Sequence, residues 1–329
     1  MKENKMLKLK FGQNIIIVFS LVFLVALFYI LNPNFLNKYN IVSMAQSLAP
    51  YAIMGLGVTF SIATGGIDLS IGTVCIASAV VAGKLYTDGL IPLWATIPVM
   101  LLIGTLFGLL NGFLVAKCKL PAFIATLGTM MVSRGLSAIF VNTPNIFYPT
   151  GTWFNKFFSN YNGFPVGVLW ILFFMLVCMY LMYKNKIGRY ILAIGSNEEA
   201  TRLSGVNTDK YKIIAYVITG ISAGISAIFW SSSFVTVAAA TGNGMELDAI
   251  AGVYIGGTSA TGGIASVTGS VIGAIMLVVI RSGLNFVLAL FNINVNSTYV
   301  TYVLTGVIVV FSVLFDKIKD KITKKGCKM

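Results

Sequence analysis

The chain has 329 residues, of which 57% are hydrophobic and only 10% are charged, and its formal net charge is +13. A soluble domain usually contains about 25% charged residues, so this composition excludes a soluble protein and indicates a membrane protein with several spans. The sequence has no histidine, which excludes His-based triads and weakens any interpretation as an enzyme or metal site. The lysines lie mostly at the ends of apolar runs, where they set orientation, so the charge does not indicate nucleic-acid binding.

Five apolar runs in the first half of the chain predict membrane spans. The first run follows four lysines and has no clear small-residue cleavage site, so we interpret it as a retained span that starts in the cytoplasm. In the fourth run, Gly104, Gly108 and Gly112 share one helix face and predict close helix packing. The predicted spans cover residues 14–31, 41–64, 69–83, 91–116 and 121–141.

The second half contains five more predicted spans after an outer loop that ends near Pro165. A charged loop, residues 184–212, and a lysine-rich tail both fall on the cytoplasmic side, so both termini are predicted to be cytoplasmic. Gly269 and Gly273 again predict close packing. The predicted spans cover residues 166–183, 213–234, 247–254, 267–290 and 298–315.

Five spans per half is an odd number, so the second half is inverted relative to the first. We therefore predict an all-α polytopic membrane protein of about ten helices, forming one transmembrane domain over residues 1–329. Its two inverted five-helix repeats cover about 11–141 and 166–315, with broken helices at their centres. Inverted repeats of this kind are typical of transporters.

The first break is predicted at residues 63–70, which read ATGGIDLS. Gly65 and Gly66 each cost roughly 1 kcal/mol in a helix interior. Asp68 needs a partner, a wet cavity or a membrane face. We predict a helix that stops, turns around Asp68 and restarts, with Asp68 or Ser70 as the N-cap of the restart.

A matching break is predicted at residues 240–248, ATGNGMELD, where Ala-Thr-Gly is again followed by a small residue, an acid and Leu. Broken segments at matching places indicate a translocation path, although two glycine-rich turns could be alike by chance. The inverted arrangement places the Asp68 break toward the cytoplasm and the Glu246 break toward the outside. The residues assigned to the path and its breaks are Gly65, Gly66, Asp68, Ser70, Asn243, Glu246 and Asp248.

A short helix outside the membrane is predicted in the charged loop. Ser196 followed by Glu199 fits a capping box, and Gly205 is placed to stop the helix. Two turns of helix are marginal alone and need a surface to pack on, so the segment is either a docking element or an ordinary connecting loop. The residues assigned to it are Ser196, Asn197, Glu198, Glu199, Arg202, Leu203 and Gly205.

Four separated motifs carry a resemblance to a known family. Over nearly the whole chain, and in the expected order, the sequence resembles the permease subunit of bacterial ribose-type ABC importers. The motifs are ATGGIDLSIG at 63–72, PAFIATLGTMMVSRG at 121–135, GSNEEATRLSGVNTDKYK at 195–212 and ELDAIAGVYIGGTSATGG at 246–263.

The resemblance implies a multi-pass permease in the bacterial inner membrane that translocates a monosaccharide without ATPase activity of its own. It implies four kinds of neighbour: ATP-binding cassette ATPase subunits, an extracellular or periplasmic sugar-binding protein, a second permease copy and the lipid bilayer. By the same resemblance, residues 195–205 form the coupling helix that sits in a groove of the ATPase. This chain has no G-x-x-x-x-G-K-[ST] loop, so ATP and Mg are expected on the partner, and we predict no cofactor, metal or catalytic residue here.

Two alternatives stay open. An ABC permease of the same fold could carry branched-chain amino acids or another solute. An ion-coupled secondary transporter would use Asp68 as its ion or proton site and would need no ATPase, but the capped cytoplasmic helix argues against it. The sequence does not name the sugar, and it does not distinguish a homodimer from a heterodimer.

Overall fold

The protein, seen in a computed structural model, is described over residues 2–141, 145–291, 299–307, 309–311 and 314, and it is almost entirely helical there. Short connections separate most of the helices. The α-helices are α1 (Lys2–Leu31), α2 (Lys38–Ala63), α3 (Ile71–Thr87), α4 (Thr96–Ala116), α5 (Ala122–Val141), α6 (Trp153–Phe158), α7 (Gly167–Met179), α8 (Lys186–Ser196), α9 (Glu198–Leu203), α10 (Thr208–Ser233), α11 (Met245–Ile255) and α12 (Val267–Leu290).

Within the described residues, six helices are long and apolar enough to cross a membrane. Three shorter apolar helices, Ile17–Leu31, Ile71–Thr87 and Tyr299–Phe311, accompany them. The prediction of an all-α polytopic membrane protein is confirmed, whereas the arrangement in ten spans and two inverted repeats stays a prediction. The six long segments are Lys38–Ala63, Leu93–Ala116, Ala122–Phe140, Gly167–Lys184, Thr208–Ser233 and Val267–Leu290.

Residues 145–166 form a small cap that the sequence did not predict. It contains α6 and the strands β1 (Ile146–Phe147), β2 (Asn160–Tyr161) and β3 (Phe164–Pro165), and β1 pairs antiparallel with β4 (Thr236–Val237). Strand β2 pairs antiparallel with β3. These strands have only two residues each, too short for the alternating pattern by which a strand is recognised in a sequence.

Helices α2 and α10 pack against each other at the centre of the molecule. Helix α2 also contacts α7, α11 and α12, while α10 also contacts α3 and α4. The whole of α2 from Ala49 to Ala63 is buried, and Phe60 and Phe229 are among the largest fully buried side chains. A helix that is apolar all round is expected to be enclosed by other helices, and this is where the core lies.

The glycine-spaced faces of two helix pairs pack as predicted. A Cβ on Gly108 of α4 would lie 3.0 Å from the Gly220 Cα and 2.5 Å from the Tyr216 carbonyl oxygen of α10. A Cβ on Gly269 of α12 would overlap the Gly256 carbonyl oxygen. Because backbone lies against backbone at these points, no side chain fits between the helices.

Substitution of Gly108 by Val is expected to destabilise the protein by forcing α4 away from α10. Overpacking costs about 1–3 kcal/mol, and the upper end applies because the obstructing atoms belong to the backbone. Thermal unfolding in detergent should show a lower midpoint for G108V. G128V is the matched control, since a Cβ on Gly128 of α5 meets no atom within 4 Å. Equal midpoints for the two variants would contradict this packing.

Candidate functional site

The first break occurs where the sequence predicts it. Helix α2 ends at Ala63, Gly65 adopts a left-handed conformation with φ of +84°, and α3 begins at Ile71. Asp68 is only 1% exposed, and its Oδ1 accepts hydrogen bonds from the backbone N (2.9 Å) and the Oγ (2.7 Å) of Ser70. The carboxylate is therefore held inside the protein and is not a solvated turn residue.

Of the two predicted N-caps for this break, Ser70 is confirmed in position. Ser70 occupies the N-cap position of α3 but makes no capping hydrogen bond with its side chain. Asp68 accepts from Ser70, two residues ahead, and not from the amides of the first helical turn. An aspartate that bonds the backbone two residues on stabilises a turn, so the side chain that shapes the break is not a helix cap.

Asp68 also ties three helices together. The Asn111 amide of α4 donates to the Ser70 Oγ (2.8 Å) and lies 3.4 Å from both carboxylate oxygens of Asp68. Thr129 of α5 in turn donates to the Asn111 Oδ1 at 2.6 Å. Asn111 and Thr129 were not among the predicted site residues, although a polar residue inside an apolar span was the signal that could have found them.

At the second break, Asp248 forms an ion pair. α11 begins at Met245 after Gly244. Arg281 of α12 donates to the Asp248 carboxylate at 2.5 Å and to the Tyr51 hydroxyl of α2 at 2.7 Å. Thr305 donates to the other carboxylate oxygen at 3.1 Å. Asp248 therefore anchors the restarted helix to α12 and to the segment that carries Thr305, and Arg281 extends the link to α2. Among the described contacts, the Asn243 carbonyl accepts from Tyr302 (3.1 Å).

The two breaks meet at the starts of α3 and α11, while their placement toward opposite membrane faces stays a prediction. A Cβ on Gly72, in the first turn of α3, would lie 2.7 Å from the backbone N and 2.8 Å from the Oε2 of Glu246. A Cβ on Gly242 would lie 3.2 Å from the Gly72 carbonyl oxygen. The missing side chain at Gly72 thus lets α3 and α11 begin at one place, where the positive ends of two helix dipoles meet.

A second copy of the motif Ala-Thr-Gly-Gly was missed as a site element. Residues 260–263 repeat residues 63–66, and a search for repeated tetrapeptides would have found them. The Gly263 N donates to the Ala63 carbonyl oxygen at 3.0 Å, and a Cβ on Gly262 would lie 2.7 Å from the Gly65 N. Gly65 and Gly262 share the left-handed conformation, with φ of +84° and +83°. The two copies therefore pack directly against each other.

The end of α8 closes this contact from a third side. A Cβ on Gly195 would overlap the Ala63 carbonyl oxygen and the Gly263 N. A Cβ on Gly263 would lie 3.0 Å from the Ser196 N. We call residues 63–66, 195–196 and 260–263 the glycine junction. It joins the charged loop to the first break and to the loop that follows α11.

Helix α9 forms in the charged loop, but its cap differs from the prediction. Asn197 is the N-cap, and its side chain accepts from the Ala200 N at 2.9 Å. Ser196 is the last residue of α8 and donates to the Leu192 carbonyl, so the predicted Ser196–Glu199 capping box is wrong. Asn is as good an N-cap as Ser, and here α8 continues through Ser196. Gly205, with φ of +82°, follows the helix as predicted.

Ion pairs fix α9 against α10. Glu198 accepts from Arg202 (3.0 Å) and from Lys212 (2.5 Å). Burial alone would raise the pKa of Glu198, but the hydrogen bond from Lys212 and the charges of Lys212, Arg202 and Lys119 outweigh it, so this pKa lies below its usual range. The far end of α9 is uncovered, since Leu203 is 85% exposed.

A cavity of about 560 Å³ lies between the first break and α9. Thr64, Gly65 and Gly66 line one side, and Glu198 and Arg202 line the other. Among the described residues, no cluster of three or more acidic or cysteine side chains could hold a metal ion.

Asp68→Leu is expected to lower the thermal unfolding midpoint, because it leaves the Ser70 and Asn111 donors buried without an acceptor. Such a loss costs about 1–3 kcal/mol. Asp68→Asn keeps one acceptor oxygen and should unfold closer to the wild-type temperature. A leucine variant as stable as the asparagine variant would contradict the network.

Gly195→Val is expected to open the glycine junction and loosen the charged loop. Limited trypsin digestion of the purified protein should then cut at Arg202 faster than in the wild type, because local opening exposes the chain. Gly135→Val is the control, since its Cβ meets no atom within 4 Å. Unchanged cleavage at Arg202 in the Gly195 variant would show that the junction does not hold the loop.

Comparison with known proteins gives relatives over most of the length. The chain is 36% identical over 270 residues to the ribose import permease protein RbsC of Haemophilus influenzae, covering 81% of this chain and 83% of the relative. It is 35% identical to the proteins of the same name from Escherichia coli K12, over 309 residues, and Bacillus subtilis 168, over 304 residues, with 92% of each chain covered. No solved structure matches the chain significantly.

A family profile matches residues 40–313, which include both breaks, the glycine junction and α9. The chain belongs to the family described as branched-chain amino acid transport system / permease component.

Proposed function

We propose that this chain is the membrane-spanning subunit of an ATP-driven importer and translocates a monosaccharide of the ribose class. The observation that carries the proposal is the similarity to three ribose import permeases over most of the chain, which includes the site described above. The geometry agrees with such a role, since the surface helix α9 follows directly on α8, and the end of α8 lies in backbone contact through the glycine junction with the first break and with the loop after α11.

The packing of the helices supports two inverted repeats. If α10, α11 and α12 in the second half correspond to α2, α3 and α4 in the first, several helix contacts have a counterpart that is also observed. The contacts of α10 with α3 and α4 correspond to those of α2 with α11 and α12. The contact between α3 and α4 corresponds to that between α11 and α12. We propose that the repeats cover about 11–141 and 166–315, with both termini in the cytoplasm.

In the mechanism we propose, ATP and Mg are bound by partner ATPase subunits, and this chain supplies movement. The ATPase holds α9 through the uncovered Leu203 and Arg202. Movement of α9 passes to α8 and, through the glycine junction, to the end of α2 and to the loop before α12. Since α3 begins next to the end of α2, and α11 ends just before residues 260–263, the two helices are re-aimed together, and the space between their starts opens to one side at a time.

The remaining partners follow from the placement of the loops. We propose that an extracellular or periplasmic sugar-binding protein rests on the cap, residues 145–166, because it lies at the far end of α3 from the glycine junction. The family resemblance implies that the outer loops at about 142–165 and 291–297 face that protein, and of these loops residues 142–144 and 292–297 lie outside the described part of the chain. A second permease copy would complete the transporter in the inner membrane.

The family description favours one other function, transport of branched-chain amino acids. Uptake by cells that express the chain with its neighbouring ATPase and binding protein should separate the two, using labelled D-ribose and L-leucine. We expect ATPase-dependent uptake of D-ribose only. Leucine uptake alone would favour the other solute, and D-ribose uptake that persists without the ATPase would favour an ion-coupled carrier.

Leu203→Asp is expected to abolish coupling while leaving the membrane helices folded. The side chain is 85% exposed, so nothing within the described chain is disturbed, but a charge would enter an apolar contact with the ATPase. ATP hydrolysis stimulated by the loaded binding protein should fall to the basal rate. Leu203→Met is the matched control and should keep stimulation. Full stimulation in the aspartate variant would exclude α9 as the docking helix.

A further inference from the structure

Three buried acids lie at the breaks, and only one of them is incompletely bonded. Asp68 bonds Ser70 and Asn111, and Asp248 bonds Arg281 and Thr305. Glu246 is 7% exposed, and its Oε1 accepts a long hydrogen bond from the Gly244 N at 3.3 Å. Its Oε2 has no hydrogen-bond partner among the described residues. Burying a carboxylate oxygen without a hydrogen-bond donor lowers the stability of the folded protein, so this arrangement indicates a functional role.

Arg134 of α5 has a buried Nε that lacks a hydrogen-bond acceptor among the described residues, just as the Glu246 Oε2 lacks a donor. The adjacent Ser133 donates to the Thr73 Oγ1 at 2.8 Å, one residue from the Gly72 against which Glu246 lies. The described residues nevertheless show no ion pair between Arg134 and Glu246, unlike Arg281 and Asp248. A donor and an acceptor therefore stand near each other across the two halves, and neither satisfies the other.

Glu246 lies at a position that suits a binding site better than a packing defect in the core. Its Oε2 lies against Gly72, where α3 begins, and its own backbone begins α11. The first turns of both helices carry amides without intrahelical acceptors. Starts of broken helices that face each other are where transporters hold their substrates.

We propose that Glu246 and Arg134 form the polar pair that takes hold of the sugar as it passes between the two breaks. The Glu246 carboxylate accepts a hydrogen bond from one hydroxyl, and the Arg134 guanidinium donates to the oxygen of a neighbouring one. Each sugar hydroxyl is both donor and acceptor, so a vicinal pair satisfies both side chains at once. The inference rests on the proposed function and names the permease residues that recognise the sugar.

The test uses the full transporter in proteoliposomes with saturating binding protein loaded with D-ribose or with 2-deoxy-D-ribose. Wild-type, Glu246→Gln and Arg134→Gln transporters are compared for uptake per ATP hydrolysed. Every transporter variant receives its sugar from the same binding protein. The sugar selectivity of the binding protein therefore does not contribute to differences between the variants. Asp88→Asn is the control, since Asp88 is an acid beside the far end of α3 that pairs with Lys84.

We expect either variant to lose about tenfold in D-ribose uptake, the order expected for one charged hydrogen bond, while stimulated ATP hydrolysis continues. The preference for D-ribose over 2-deoxy-D-ribose should shrink, and the double variant should lose less than the product of the single losses. Asp88→Asn should keep the wild-type rate and preference. Arg134→Gln decides the question alone if Glu246→Gln does not assemble.

Two results would overturn the pair. One is a wild-type rate and preference in both variants. The other is an unchanged preference with uptake and ATP hydrolysis reduced in parallel, which is what a structural role predicts. A wild-type transporter that takes up neither sugar would instead overturn the proposed function, and the sugar pair with it.

Discussion

A helix that is interrupted inside a membrane protein leaves backbone amides and carbonyls that lipid cannot satisfy. The hydrogen bond from the Gly263 N to the Ala63 carbonyl is the local answer at the end of α2. Near it, Tyr183 accepts from the Val267 N and donates to the Ala265 carbonyl, at 3.1 Å each. The first break is thus completed by a group from the second half of the chain, and Tyr183 completes the start of α12, so the first half does not hold its broken helix alone.

The need to satisfy the backbone at the interrupted helices explains why the same segments can transmit movement. Backbone contact requires glycine, and at Gly195, Gly263 and Gly72 a single added Cβ would meet backbone atoms. Contacts of this kind have no side chain that could give way, so a displacement of the end of α8 must either move the first break and the loop after α11 or separate from them. The ion pair of Asp248 with Arg281 and the network of Asp68 keep the restarted helices attached to their neighbours while this occurs.

Much of this architecture could be predicted from the sequence, because a long apolar run has few alternatives to a helix. The break at Gly65 and Asp68 was predictable for the same reason, since paired glycines and a buried acid do not suit a helix interior. The site was harder. The sequence indicated each break separately, but the meeting of Gly72 with Glu246 depends on packing, which no local pattern encodes. Asn197 replaced Ser196 as the cap because the extent of α8 decides which residue is free to cap.

The central claim is that α9, the end of α8 and both Ala-Thr-Gly-Gly segments form one body. It is tested most directly by joining cysteines at Ser196 and Thr261 with a short bifunctional thiol reagent, in a transporter otherwise free of cysteine. Both residues are exposed and flank the contact of Gly195 with Gly262. If the junction moves as a unit, the cross-link forms readily and ATP-driven uptake continues at the uncross-linked rate. Failure to cross-link, or uptake abolished by the cross-link and restored when a cleavable linker is cut, would contradict the account.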